Sequence, residues 1–259
     1  MTSLDGLWWL LALIGPLLFL QRWLNHEIQA VFLLLTRRAE VALAIFSLLF
    51  FPGVLLHEAS HYLVAFILGV RVGRFSLIPR LLPQGKAKNG QTARLQLGFV
   101  ETARTDIVRD ALIGAAPLIF GGAFVAYAGL AKLGLDTLWN DILSEQTGIL
   151  QTIQVGIHSH PDFWLWFYLA FAVSSTMLPS ASDRRAWLPI GLSSVLLLGL
   201  GLLSGAGPWL IHHLAGPLNQ TLRAVAAVVG ISLGIQLVFA IPVYGLRRFL
   251  NRITHLEVV

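Results

Sequence analysis

The chain has 259 residues, 56% of them hydrophobic and 12% charged, about half the charge of an ordinary soluble domain. Its net charge is +5 and it has no cysteine, which excludes disulfides and thiolate metal sites and leaves His and carboxylate as metal ligands. The basic residues cluster in loops between apolar stretches, without the basic stripe and interleaved aromatics of a nucleic-acid surface, so no nucleic-acid partner is expected.

Apolar runs approach the ~20 residues needed to cross a bilayer several times along the chain. They predict an all-α polytopic membrane protein of about six transmembrane helices. The first span covers 6–24. It lacks a basic n-region and an A-x-A cleavage site, so it reads as a retained span. A short amphipathic piece, 25–36, is expected at the interface. The second span, 39–70, contains a kink point at Pro52-Gly53. Residues 71–107 are too polar to cross. Two strand-like runs there, 70–78 and 92–102, flank Pro83, Gly85, Asn89 and Gly90 and predict a β-hairpin at the membrane surface. The later spans are 108–133, 163–178, 187–204 and 222–246. Gly230 and Gly234 form a small-xxx-small pair in the last of them. The chain thus divides into an N-terminal span with its interfacial helix (1–38), a core (39–185) and two C-terminal spans with a tail (186–259).

Loop charge suggests an orientation. Segment 71–107 carries seven basic and two acidic residues, whereas 134–161 carries three acidic and no basic residues. Arg184-Arg185 and Arg247, Arg248 and Arg252 add to the first side, which should be cytoplasmic. Arg22, Arg37 and Arg38 disagree if the first span is a full crossing.

The chemistry centres on His57-Glu58-Ala59-Ser60-His61, inside the second span. On a helix, His57 and His61 lie one turn apart on one face and can share one zinc ion. Glu58 projects beside them, placed to take a proton from metal-bound water. Ionisable groups in an apolar span are costly and usually mark function.

A catalytic zinc usually has a third protein ligand. His158, His160, His212, His213, Asp110, Asp162 and Asp183 are the candidates. The expected topology puts His158, His160, Asp162, His212 and His213 on the outer side, while Asp110 reads as a helix N-terminal charge. Asp183 is favoured, because Pro179 breaks the fourth span and lets the chain turn back. Its alternative is a surface acid paired with Arg184 or Arg185.

These residues resemble the site-2 protease family of intramembrane zinc metalloproteases. The resemblance rests on the HEASH run, Leu68 to Val72, Phe75-Ser76-Leu77, Gly114 to Leu118, and Pro179 with Asp183, covering about 52–183. It implies a three-helix core that cleaves peptide bonds in or near transmembrane segments of membrane-protein substrates. His57, His61 and Asp183 would hold one Zn2+, Glu58 would be the catalytic base, and the hairpin would take substrate as an added strand. A prokaryotic cytoplasmic membrane is the expected location, with the site toward the cytoplasm. The chain departs from the family at Thr176, where the family has Asn, and at Arg184, where Gly follows the Asp. Pro179 and Asp183 also stand one residue closer than in the family's common form. Two other readings stay open: an inactive member acting as a membrane scaffold, and an ion or proton transporter using the same polar site.

Overall fold

The structure is a computed structural model and describes residues 5–77, 80–87, 90–103, 105–136 and 161–254. It is mostly helical. Its elements are α1 (Asp5–Thr36), α2 (Ala39–Ile67), β1 (Val72–Ser76), β2 (Arg80–Ala87), β3 (Gly90–Gln96), β4 (Phe99–Thr102), α3 (Ile107–Tyr127, continued by a π-helical turn Ala128–Lys132), α4 (Phe163–Ser174), α5 (Trp187–Leu203) and α6 (Gly207–Thr254).

Among the described residues, four helices are long and apolar enough to cross a membrane: α1, α2, α3 with its π turn, and α6. Two of the six expected spans fall short. α4 has 12 residues and α5 has 17, and at 1.5 Å per residue α4 extends for only about 18 Å. Large apolar side chains cover the outside, among them Trp8, Phe19, Phe66 and Ile241, as a lipid-facing surface would have. α5 buries no residue at all.

α1 corrects the sequence reading, because it is one helix of 32 residues and does not break into a span and an interfacial piece. One polar residue of its second half, Glu27, points into the bundle and adds to a false amphipathic signal. Glu27 is 3% exposed. Arg37, with φ 52°, turns the chain from α1 into α2. Gly69, with φ 68°, ends α2, and the Val70 N–H reaches back to Ala65 O at 2.9 Å.

The central core lies where five helices meet. Leu24 and Ile28 of α1 pack with Phe46 and Phe50 of α2, Ala128 of the π turn, Phe171 of α4 and Ile235 of α6. Phe50, Phe171 and Phe239 form an aromatic ladder across α2, α4 and α6, with centroids 5.6 and 4.0 Å apart. Leu77 and Leu97 root the hairpin in this same core.

The predicted hairpin is present as two antiparallel pairs along one arm. β1 pairs with β4 (Val72 with Thr102, Ser76 with Phe99), and β2 pairs with β3 (Arg80 with Gln96, Gln84 with Thr92).

The first and last long helices run side by side in the same direction. Gly6 N–H donates to Asn219 Oδ1, Leu13 meets Gly230, Trp23 meets Tyr244, and Glu27 pairs with Arg247. Arg247 therefore sits beside the end of α1 that leads through Arg37 and Arg38 into α2, whereas the basic hairpin leaves the other end of α2. The expected gathering of basic residues on one side is not what the helix directions give. The Gly230/Gly234 pair is not a close-packing motif either: an added Cβ would meet Leu13 Cδ1 at 3.7 Å at Gly230, and nothing within 4 Å at Gly234.

Candidate metal centre

One face of α2 builds the site. Gly53, His57 and His61 follow at intervals of four residues and share that face. At Gly53, an added Cβ would collide with Ala172 O and Thr176 Oγ1, so the end of α4 lies directly on the α2 backbone. One turn later, His57 Nδ1 meets Thr176 O at 2.7 Å. Another turn on, His61 Nδ1 meets Ile113 O of α3 at 2.8 Å. A carbonyl only accepts, so both rings carry their proton on Nδ1 and present a bare Nε2. The two Nε2 atoms are 3.2 Å apart.

Asp183 meets them from the other side. Its carboxylate oxygens lie 3.8 Å from His57 Nε2 and 3.5 Å from His61 Nε2. Several contacts fix the turn that delivers it. Ser180 N–H donates to Asp183 Oδ2 at 2.7 Å, and an added Cβ at Gly114 would collide with the Asp183 carbonyl. Arg185 clamps the same turn to α3 through two bonds to Asp110, at 2.7 and 2.5 Å. Asp110 is therefore a partner of the turn, and Asp183 does not pair with its neighbouring arginines.

Among the described residues, His57, His61 and Asp183 form a group able to hold a metal ion, with their ligand atoms within 4.8 Å of one another. The spacings fit a small tetrahedral ion. Bonds of about 2.0–2.1 Å at tetrahedral angles separate ligand atoms by about 3.3 Å, close to the 3.2 Å between the two Nε2 atoms. The Asp183 carboxylate stands a little farther off, one oxygen 3.5 Å from His61 and the other 3.8 Å from His57. The Nδ1–H···O=C bonds are the outer contacts that orient ligating histidines in metal sites.

Glu58 is 7% exposed and lies at the edge of a cavity of about 580 Å³ that also contains the three ligands. Gly98, in the bend before β4, packs on it: an added Cβ would come within 3.0 Å of Glu58 Cγ and Val54 Cγ1. Residues of β4 line the same cavity, and among the described residues β1 is the strand paired with β4. Ser175 and Thr176 line it too. The Thr176 hydroxyl is already committed, donating to Ala172 O at 3.0 Å. Ser60, next to the histidines in sequence, donates to His57 O at 2.7 Å and is buried.

The other candidate ligands do not converge. His213 bonds Trp209 O and stacks on the Trp209 ring, with centroids 4.6 Å apart. His212 lies beside His213. Asp162 accepts from Trp166 Nε1 at 2.7 Å at the start of α4. His158 and His160 lie outside the described residues. Sequence reasoning missed Gly98 and the Asp110–Arg185 clamp. The opposite charges beside Gly114 and Asp183 were the available signal for the clamp.

No family model, curated protein or solved structure matches the chain.

Proposed function

We propose that this protein is a zinc-dependent intramembrane endopeptidase of the site-2 type, hydrolysing peptide bonds in or near transmembrane segments of other membrane proteins. The observation that carries the reading is the convergence of two bare His Nε2 atoms and one carboxylate beside a buried Glu, within helices apolar enough for a membrane.

In this reading His57, His61 and Asp183 hold one zinc ion, which supplies a Lewis acid and a bound water ionising near pH 7. Glu58 takes the proton of the attacking water and passes it to the leaving amine. Gly98 keeps the hairpin bend close enough to hold Glu58 in the cavity. The substrate enters as an extended segment beside β4, because main-chain pairing to a strand exposes the scissile carbonyl that a helix would hide. Thr176 stands where the family has Asn, but its hydroxyl is turned to its own helix. Ser175, lining the same cavity, is left to donate to the developing oxyanion.

Co-expression with a single-span membrane substrate tests this. Glu58→Gln should lower cleavage by about 10²–10⁴-fold while one zinc per chain remains. His57→Ala and His61→Ala should each lose the metal. Zinc retained in both histidine variants, or wild-type cleavage by Glu58→Gln, would defeat the proposal.

A further inference from the structure

The end of α4 presents two carbonyls that its own helix does not satisfy. The last carbonyls of any helix lack intrahelical partners. Here the next residues remove the usual substitutes as well. Four residues after Ser175 stands Pro179, which has no N–H. Four residues after Thr176 stands Ser180, whose N–H is spent on Asp183 Oδ2. Thr176 O is taken up by His57 Nδ1, and Ser175 O accepts from Gln21 Nε2 at 2.5 Å. Gln21 belongs to α1, outside the segment that resembles the protease family.

A further cavity, of about 180 Å³, lies at this joint. It is lined by Asn25 and Gln29, one and two turns after Gln21 on α1, and it shares Leu97, Ser175 and Thr176 with the cavity of the metal centre. Gln21 Oε1 is buried with no partner among the described residues. A glutamine in this place is therefore held by its donor alone, and that donor goes to the one carbonyl that Pro179 leaves open.

We infer that Gln21 is a positioning residue for the metal centre: its side-chain N–H holds the Ser175 carbonyl, and the next carbonyl along the chain, Thr176 O, holds the ring of His57. α1 thereby becomes part of the site without touching the metal. The Thr176 and Met177 N–H groups both bond Val173 O, at 3.0 and 2.9 Å, so Gln21 is the tertiary tie on the Ser175 carbonyl. Removing it loosens this turn, weakens the Thr176 O contact and lets His57 exchange its Nδ1–H form for the Nε2–H form, which cannot ligate through Nε2.

The inference rests on the metal reading for one of its two measurements and is independent of it for the other. The test compares the full-length protein with Gln21→Met, which keeps the length but has no donor, and with Gln29→Met, which lines the same cavity without bonding the joint. The first measurement is the ¹⁵N signal of the His57 ring in the metal-free protein. Gln21→Met should shift it from the Nδ1–H form toward a mixture, and Gln29→Met should leave it in place. The second is Co2+ titration. Gln21→Met should weaken binding by about tenfold, the lower end of the range for partners of ligating histidines, and alter the visible spectrum of the bound ion. If the wild type binds no cobalt, the proposed function falls, and the ring signal still judges the brace. An unchanged His57 signal in Gln21→Met overturns the inference. So does a change that merely tracks a loss of helix content, or one that Gln29→Met reproduces.

Discussion

The bundle holds itself together differently in two places. Around the candidate metal centre, α2 and α3 meet α4 and the turn after it through backbone: Gly53 lies on Ala172 O and Gly114 on Asp183 O. Between α1 and α6 such an approach occurs at one end, where an added Cβ at Gly6 would meet Arg223 N and Asn219 O at 2.8 Å. The matched register is otherwise marked by charge, with Asp5 paired to Arg223 near that end and Glu27 to Arg247 near the other. The difference follows from what each region does. Backbone carbonyls orient His57 and His61, so the helices carrying those carbonyls must approach as closely as glycine permits. A long parallel pair needs mainly its register, and the buried Glu27–Arg247 pair specifies register strongly, because a slip strands a charge.

The contrast can be broken from either side. The largest effect belongs to Gly114→Ala. Its methyl meets a peptide carbonyl that cannot swing aside, so the Asp183 turn must leave α3. Metal affinity should fall by about 100-fold or more, beyond the loss expected for a residue that merely orients a ligand, with overpacking costing about 1–3 kcal/mol. Gly234→Ala is the counter-case: open space and helix propensity should make it stabilising by up to about 1 kcal/mol. Comparable cobalt titration curves for the two variants would erase the distinction.

Next comes Arg247→Met. Glu27 would keep a buried carboxylate without this partner, at a cost of about 3–5 kcal/mol, read as a lower melting temperature in detergent. Metal affinity should stay at the wild-type value, since neither residue reaches the site. A weakened metal site in this variant would show that the two regions are not separable.

The smallest effect is at the start of α3. Asp106 caps the helix by accepting from the N–H groups of Arg109 and Val108, at 3.0 and 3.1 Å. The bond from Arg109, with help from the Arg109 charge, holds the Asp106 carboxyl below its ordinary value. Folding therefore favours the ionised form. The stabilisation is complete above the unfolded value, near pH 4, and is lost as pH falls through the lowered folded value. Asp106→Asn keeps a capping oxygen and has no proton to take up, so its melting temperature should vary less below about pH 4 than that of wild type. Parallel curves would remove Asp106 from the account.

Much of the candidate site was legible because it is local. The interval from His57 to His61 is one helical turn, and a continuous apolar segment around it leaves little choice but a helix in a bilayer. The strand runs and turn residues of 70–102 were likewise readable from alternation and from Gly and Pro. The failures came where a residue's partner is distant. Asn25 and Gln29 read as an interfacial stripe, since nothing in the sequence shows the joint they face. Arg247 read as a loop charge of one membrane side, when its position is set by Glu27, 220 residues earlier. Gly230 and Gly234 met a packing pattern that α1 does not use.

The sequence by itself determined the helix that carries His57, Glu58 and His61, the apolar character of the bundle, and the break at Pro179 that frees Asp183 to turn back. These depend on dihedral periodicity and on which residues lack an N–H, properties carried by neighbours along the chain. Tertiary structure alone decided which carbonyls hold the two rings, 119 and 52 residues away, which arginine serves Asp110, and that α1 reaches the site through Gln21. Those outcomes depend on distances between helices of a few tenths of an ångström, set by glycines on one helix and backbone on another, and no local pattern records both halves of such a contact.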